Sequence, residues 1–416
     1  MDTASLESSL AALLDCKKVR RALEFIRNDH ASTLAELKEM VLVSGAPHTE
    51  QDLRSPMFLG KLRQYGLEGC HMDEVGNVFG SVSGSAAGKI LAEAHLDTVF
   101  GPEVPLSVTE DDDGTLRCPG IADNTASMAA ELSLVRAIKS SGLAPVKTLL
   151  IGGTVGEEAP GGARGVIHLM RTMKDLDAYV CLDSGHDFDI ITGAVSCERH
   201  EITFSGPSGH SWNDWGRANT ISALGRAISL ISGITPPSKP KTTFNLGIVT
   251  GGTAVNTIPA QASMHVDVRS LDDTERVKLE EKLLDCVRKA AEEENAAHPG
   301  AVPITIHDRP YGGIPGGFTP DTAPIVKAAL AAAHAIKLPR SICPPGCTNA
   351  NFPISAGIPA LCVNSNGKCG GIHSLDEWYD PTDSWKGVQA LLLLLLLLAG
   401  LDGVIDPIRT AYTAAV

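Results

Sequence analysis

Three apolar segments, each separated from the next by a segment with helical periodicity, constrain the fold of this 416-residue chain more than any other feature. The apolar segments are GKILAEAHLDTV, VKTLLIGGTV and LDAYVCLDSG, and helical segments such as NTASMAAELSLVRAIKSSG lie between them. A strand that is apolar along its whole length is buried on both faces. This alternation therefore predicts an α/β fold with a mostly parallel sheet covered by helices on both sides.

The pattern changes near Cys197, where strands of alternating polarity such as QASMHVDVRSLD replace the uniformly apolar ones. The order of strands and helices in this part is β-α-β-β-α-β, which is typical of a ferredoxin-like α+β domain. We therefore predict that such a domain is inserted into the α/β domain. The predicted bounds are 1–196 and 310–416 for the two parts of the α/β domain, and 197–309 for the insertion.

Composition limits the partners of the chain. The net charge is −14, and without a cluster of Lys and Arg this argues against a nucleic-acid groove or an anionic membrane surface. The longest apolar run, 391–401, is shorter than the ~20 residues that cross a membrane. The start of the chain lacks the basic region of a secretory signal, and the ten cysteines form no CxxC pair. We therefore predict free thiols and a cytoplasmic protein.

Two adjacent acids, Glu157 and Glu158, stand in GGTVGEEAPGGARG, directly after a segment predicted to be a buried strand. Like charges in such a place repel each other and lose hydration. A bound cation offsets both effects. The alternative is a solvated loop that carries two surface acids.

Further polar residues follow predicted strands or precede helices, and in open α/β sheets such positions meet at the carboxyl edge. They are His95, Asp97, Asp123, Asp183 and His373. Taken singly, each has a structural explanation: Asp123 suits a helix N-cap, and His373 suits a surface loop. Taken together with the adjacent acids, they form an oxygen and nitrogen ligand set for two divalent metal ions. Motifs of other catalytic plans, GxSxG, HExxH, a Walker loop and GxGxxG, are absent from the sequence.

The motifs that contain the two histidines and the carboxylates, in this order, resemble those of metallopeptidase family twenty, which includes aminoacylases, peptidase T, glutamate carboxypeptidase and succinyl-diaminopimelate desuccinylase. The resemblance is to the peptidase T-like branch. It implies a zinc-exopeptidase catalytic domain with an inserted lid and dimerisation domain. The matching stretches are AHLDTV, GIADN, GEEAPGGARG, LDSG, SGPSGHSW, GGTAVNTIP, VDVRS, CTNANF and GIHSLDEW.

The resemblance also implies a role for each residue and two Zn²⁺ ions per subunit, with Co²⁺ or Mn²⁺ as substitutes. The implied ligands are His95 and Asp183 for one ion, Glu158 and His373 for the other, and Asp123 as the bridge. Asp97 would orient the imidazole of His95. Glu157 would be the general base that takes a proton from a metal-activated water and passes it to the leaving amine.

Three residues of the inserted domain complete the implied site. His210 in SGHSW would reach the partner subunit's site in a homodimer and stabilise the oxyanion. Asn256 and Arg269 would hold a substrate carboxylate. The alternatives are a surface imidazole for His210 and a structural ion pair for Arg269.

The resemblance implies a hydrolase of peptide or amide C–N bonds, and we expect an exopeptidase, such as an aminopeptidase, that cleaves di- or tripeptides. An N-acyl-amino-acid amidohydrolase remains the alternative, because the same zinc chemistry serves both. A non-catalytic binding relative would have lost a ligand or Glu157, and all of them are present. One departure bears on specificity: where relatives often have S-T-D-A-N, this chain has Cys347 and Asn349 in CTNANF.

Overall fold

The structure is a computed structural model that describes residues 3–339, 341–364 and 367–411. The chain forms two compact units: Met1–Ala194 with Phe318–Val416, and Val195–Gly317. The predicted insertion ended at 309, but the last strand of the smaller unit continues to Ile314. Pro310 does not end this strand because the strand lies at the edge of its sheet, where a missing amide donor is tolerated.

Helices and strands alternate through the larger unit as the sequence predicts, and the elements of both units are numbered together along the chain. The helices are α1 Thr3–Asp15, α2 Lys17–Asn28, α3 His30–Val41, α4 Arg54–Gln64, α5 Ala126–Ser141, α6 Arg164–Thr172, α7 Thr220–Ser232, α8 Asp273–Ala297, α9 Pro324–Ala335, α10 Asn351–Ser355 and α11 Trp385–Ala399. The strands are β1 Glu68–Met72, β2 Val78–Val82, β3 Ala86–His95, β4 Thr109–Glu110, β5 Leu116–Arg117, β6 Lys147–Thr154, β7 Leu176–Asp183, β8 Ile190–Ile191, β9 Gly193–Ala194, β10 Ser196–Ser205, β11 Gly209–His210, β12 Thr242–Gly251, β13 Thr257–Ile258, β14 Gln261–Ser270, β15 Thr305–Ile314, β16 Gly317–Phe318, β17 Ile342–Cys343, β18 Ala360–Asn364, β19 Lys368–Gly370 and β20 Trp378–Asp380.

An eight-stranded sheet in the order β1-β2-β6-β3-β7-β18-β8-β17 forms the centre of the larger unit. Strands β6, β3, β7 and β18 are neighbours and run parallel, which confirms the predicted mostly parallel sheet. Their carboxyl ends therefore meet at one edge. The residues that end these four strands are Thr154, His95, Asp183 and Asn364.

Helices cover both faces of this sheet, because alternate side chains of each buried strand point in opposite directions. On one face, Ala92 and Ala94 of β3 join a large core with the residues of α5 and α11. On the other face, Leu91 packs with Tyr179 and with residues of α6 and α10. The leucine run, residues 391–398, lies in α11 and is buried in the core. No helix in the described part of the chain combines the length and the apolar character needed to cross a membrane.

The smaller unit is built as the sequence predicts, with four antiparallel strands in the order β12-β14-β10-β15. Helices α7 and α8 pack on this sheet and form a core of their own with β10 and β14. Along the chain the long elements follow the ferredoxin-like order β10-α7-β12-β14-α8-β15, and the central strand β10 pairs with both β14 and β15.

Candidate functional site

The predicted ligands lie together at the carboxyl edge of the large sheet. His95 and Asp183 are the last residues of β3 and β7, and Glu158 follows β6. Asp123 lies in the irregular turn Ile121–Thr125 that leads into α5. His373 reaches the same place from the loop between β19 and β20. The structure thus brings together all five residues, which are up to 278 positions apart in the chain.

The first group consists of His95, Asp123 and Asp183, whose ligand atoms all lie within 4.8 Å of one another. The Nε2 atom of His95 lies 3.0 Å from Oδ1 of Asp123 and 3.7 Å from Oδ1 of Asp183. All three side chains are buried. An imidazole nitrogen and two carboxylate oxygens that converge in this way are suited to a divalent metal ion.

The second group consists of Glu158, His373 and, again, Asp123. The Nε2 atom of His373 lies 2.7 Å from Oε1 of Glu158 and 3.2 Å from Oδ2 of Asp123. Asp123 therefore presents one carboxylate oxygen to each group. This is the arrangement expected of a carboxylate that bridges two metal ions.

Asp97 organises the loop that carries the two adjacent glutamates. Its buried carboxylate accepts hydrogen bonds from the backbone amides of Glu157, at 3.1 Å, and Glu158, at 2.8 Å. Its carbonyl oxygen also lies 3.1 Å from Nδ1 of His95, which leaves the Nε2 atom of that ring to face the acids. Asp97 therefore orients groups on both sides of the site without belonging to either ligand group.

The electrostatics of the site are dominated by carboxylates. Burial lowers the pKa of His95, but hydrogen bonds with Asp123, Asp183 and Asp97 outweigh it and raise the pKa well above its usual value. A hydrogen bond with Asp123 raises the pKa of His373 to about 9. Burial raises the pKa of Glu158 to about 7 and that of Glu157 well above its usual range, and neighbouring acids add to both effects. The excess of carboxylates at the site therefore stabilises positively charged groups there.

A cavity of about 310 Å³ opens beside the two groups. Its lining contains no Lys or Arg: the residues are Asp123, Glu157, Glu158, Asp183, Ser184, Ile191, Gly346, Cys347, Thr348, Ile372 and His373. Five carboxylates, counting Asp97, meet two imidazoles here. Such a set of carboxylate and imidazole donors, with an excess of negative charge and no basic side chain in the lining, fits two divalent ions such as Zn²⁺, Co²⁺ or Mn²⁺.

Glu377, which the sequence analysis did not identify, holds the turn that carries Asp123. Its fully buried carboxylate accepts hydrogen bonds from the backbone amides of Gly120, Ala122 and Asp123 at 2.8 to 3.0 Å. Burial raises the pKa of this carboxyl to about 7. The acid stands four residues after His373 in GIHSLDEW, so the motif contained it, but nothing in the sequence indicated its partner.

Arg54 is a second residue that sequence reasoning missed. Its guanidinium is buried and donates to the carbonyl oxygens of Val43 and Leu96 and to the hydroxyl of Thr125. Burial lowers the pKa of Arg54 to about 10. Arg54 thereby joins α4 to the ends of the segments that carry His95 and Asp123. No sequence motif surrounds it, so only the tertiary contacts reveal it.

Behind His95, a buried polar network lies under the site. Glu93 accepts hydrogen bonds from the hydroxyls of Thr154, at 2.6 Å, and Tyr179, at 2.7 Å. Asn349 donates to Thr154 at 2.8 Å and, more weakly, to Glu93 at 3.4 Å. Asn349 is thus a hydrogen-bond donor to a buried acid, whereas an aspartate at this position would face Glu93 with a second acid.

The three candidates in the smaller unit are exposed. The imidazole Nδ1 of His210 accepts from the amide of Trp212, and Asn256 accepts from the amide of Ser211 through its carbonyl. Arg269 forms a two-point ion pair with Asp267, with N···O distances of 2.8 and 3.2 Å. The structural ion pair considered for Arg269 is therefore present, and its role toward a substrate stays a prediction.

The chain is similar to known peptidases in sequence. Residues 91–397 match the profile of Peptidase family M20/M25/M40. A probable carboxypeptidase of Ajellomyces dermatitidis is 29% identical over 255 residues, 56% of this chain and 56% of that protein. A probable carboxypeptidase of Emericella nidulans is 29% identical over 271 residues, 59% of this chain and 61% of that protein. The chain thus spans little more than half the length of the curated relatives it matches.

Solved structures share the fold. A tripeptidase of Staphylococcus aureus superposes with a TM-score of 0.75 at 21% identity, covering 89% of this chain and 98% of that one. The aminopeptidase PepT of Bacillus cereus superposes with a TM-score of 0.73 at 21% identity, covering 88% and 97%. The profile match extends over most of the chain and includes every predicted ligand motif. The chain therefore belongs to peptidase family M20/M25/M40.

Proposed function

We propose that this protein is a di-zinc metallo-exopeptidase that hydrolyses the amide bond of di- and tripeptides. The observation that carries the proposal is the geometry of Asp123, which presents one carboxylate oxygen to His95 and the other to His373. This arrangement supports two ions, with His95 and Asp183 at one and Glu158 and His373 at the other. Zn²⁺ ions held there would polarise the scissile carbonyl and make water more acidic.

In the proposed mechanism Glu157 moves the proton. Its carboxylate lines the cavity, and a carboxylate oxygen lies within 4.8 Å of ligand atoms of His95 and Glu158. Glu157 would take a proton from the attacking water and deliver it to the leaving amine. Asp97 fixes the backbone of Glu157 through a 3.1 Å hydrogen bond, which holds the base at the cavity.

The names of the relatives, probable carboxypeptidase, tripeptidase and aminopeptidase, support the proposal of free peptides rather than acylated amino acids as substrates. Those activities belong to those proteins, and they support an exopeptidase here without indicating which peptide end is trimmed. An N-acyl-amino-acid amidohydrolase is the competing proposal. The ten free cysteines support a cytoplasmic location.

We further propose that the protein is a homodimer that pairs through the smaller unit. Strand β12 is an edge strand, and Ile248 and Val249 on it are about half exposed. Trp212 and Trp215, which follow His210 in the chain, are more than four-fifths exposed. Apolar surface of this kind favours association with a second copy. Sedimentation of a fully active monomer would rule out the proposed role of His210 in the partner subunit's site.

The test of the activity is a competition among substrates. The zinc-loaded protein is incubated with one pool of free dipeptides, free tripeptides and N-acyl amino acids, and the loss of each is followed by mass spectrometry. We expect selective loss of free peptides, with products that identify the trimmed end. Selective loss of acylated amino acids would replace the exopeptidase proposal with the amidohydrolase. A Glu157→Gln sample controls for contaminating peptidases.

A further inference from the structure

The turn that follows Asp123 and the first turns of α5 carry a set of buried oxygens without hydrogen-bond partners. Asn124, Ser127 and Glu131 are each fully buried. Among the described residues, no hydrogen-bond partner reaches Oδ1 of Asn124, Oγ of Ser127, or either carboxylate oxygen of Glu131. Buried polar atoms are almost always paired, because an unpaired one has lost its hydrogen bonds to water without a replacement. Four such atoms within eight residues call for an explanation.

Helix geometry places Ser127 and Glu131 along one face of α5. Ser127 and Glu131 are four residues apart, so their side chains lie one above the other on adjacent turns. The opposite face of α5 is identified by Ala130 and Ser133, which line a cavity together with residues of α2 and α3. At roughly 100° per residue, Ser127 and Glu131 point away from that cavity.

The side chain of Asn124 is oriented by the sheet. Its Nδ2 atom donates to the carbonyl oxygen of Leu182 at 2.8 Å, which leaves the amide oxygen as the free end. Helix α5 contacts strands β3 and β6, and β3 contributes the side chains of Ile90, Ala92 and Ala94 to the core that it shares with α5. Alanine side chains fill less of the space beside the helix than larger apolar side chains would.

The chemistry of the set is that of a cation ligand. Three of the four unpaired atoms are pure acceptors, and the hydroxyl of Ser127 is the fourth. Burial and, to a smaller extent, the charge of another acid, Glu93, raise the pKa of Glu131 well above its usual range. No basic side chain of the described chain pairs with Glu131.

We propose that Glu131, Ser127 and Asn124 hold a monovalent alkali cation, Na⁺ or K⁺, in a buried oxygen site beside the turn that carries Asn124 and the first turns of α5. Carboxylate, hydroxyl and amide oxygens are the ligands that hard cations prefer. The site carries a single carboxylate, so a monovalent ion neutralises it, whereas a divalent ion would leave a surplus charge in an apolar core. Because Asn124 directly follows Asp123, the ion would also steady the segment that carries the shared ligand of the metal centre.

The experiment measures the thermal unfolding midpoint of the zinc-loaded full chain in NaCl, KCl and tetramethylammonium chloride at equal ionic strength. A cation that binds only the folded state raises the midpoint in a saturable way, whereas the bulky organic cation does not fit. We expect a rise of several degrees in NaCl or KCl. We also expect about one Rb⁺ bound per chain in equilibrium dialysis against RbCl with excess tetramethylammonium chloride.

Variants separate the site from general salt effects. Glu131→Gln should abolish the dependence of the unfolding temperature on Na⁺ or K⁺. Ser127→Ala keeps the charge, so the dependence should remain but should require a higher salt concentration. Glu294→Gln serves as the control, because Glu294 is an equally buried acid that accepts from the amide of Asn219 and from Arg226. Equal midpoints in all three salts, or a dependence that persists in Glu131→Gln, would overturn the proposal and indicate a protonated Glu131 with bridging water.

Discussion

The carboxylate of Glu377 accepts a hydrogen bond of 3.0 Å from the backbone amide of Asp123, although the two residues are 254 positions apart. The same carboxylate also accepts from the amides of Gly120 and Ala122. Three backbone amides bound to one buried acid hold the turn in one conformation. The side chain of Asp123 is thereby directed to both ligand groups from a fixed backbone.

Replacing Glu377 by Gln should weaken both folding and metal binding. The amide retains one acceptor and brings a donor that faces backbone amides, so we expect a loss of about 1–3 kcal/mol of stability. We expect zinc affinity to fall roughly 10- to 100-fold, as for other residues that orient ligands. Zinc competition titration measures the effect. The neighbouring Asp376→Asn, at an exposed position, is the control, and equal affinities in the two variants would contradict the role of Glu377.

Glu157 and Glu158 are neighbours in sequence but should respond differently to the same substitution. Glu157→Gln removes the proposed base, so we expect kcat to fall by about 10²- to 10⁴-fold while two zinc ions remain bound. Glu158→Gln removes a proposed ligand, so we expect loss of zinc together with activity. Metal analysis beside steady-state kinetics distinguishes the two. Wild-type turnover in zinc-loaded Glu157→Gln would show that another group moves the proton.

Removing the metal should destabilise the protein. Without cations, the carboxylates of Asp97, Asp123, Glu157, Glu158 and Asp183 face one another with only two imidazoles to compensate. A ligand present at 100 times its Kd stabilises the folded state by about 2.7 kcal/mol, and we expect a chelator to remove at least that amount. Thermal unfolding before and after chelation measures the change, and added Zn²⁺ should restore it. An unchanged midpoint would mean that no metal is bound there.

Asn349 should stabilise the folded protein because it donates hydrogen bonds to the buried acid Glu93 and to Thr154. In Asn349→Asp, a donor to Thr154 and Glu93 becomes a second buried acid, and we expect a loss of about 2–4 kcal/mol of stability. Adding Glu93→Gln should restore part of this loss, because the amide can donate to the new carboxylate. Chemical denaturation of both single variants and the double variant gives the coupling energy. Strictly additive effects would show that the two side chains do not interact.

The sequence alone indicated the large sheet, the inserted antiparallel domain and the five converging residues. Those features depend on local information: apolar periodicity identifies strands and helices, and the topology of parallel strands requires their carboxyl ends to meet. His95 and Asp183 end their strands, so their neighbourhood followed from the strand assignment itself.

Only the tertiary structure revealed the residues that support the site. Glu377, Arg54 and Glu93 act through partners that lie far away in the chain or on neighbouring strands, and a buried acid or guanidinium is recognisable only from the groups that surround it. The same reason explains why the insertion was predicted to end at 309, before the end of β15 at Ile314. In the sequence, Pro310 indicates the end of a strand. Whether the strand does end there depends on whether it lies at the edge of its sheet.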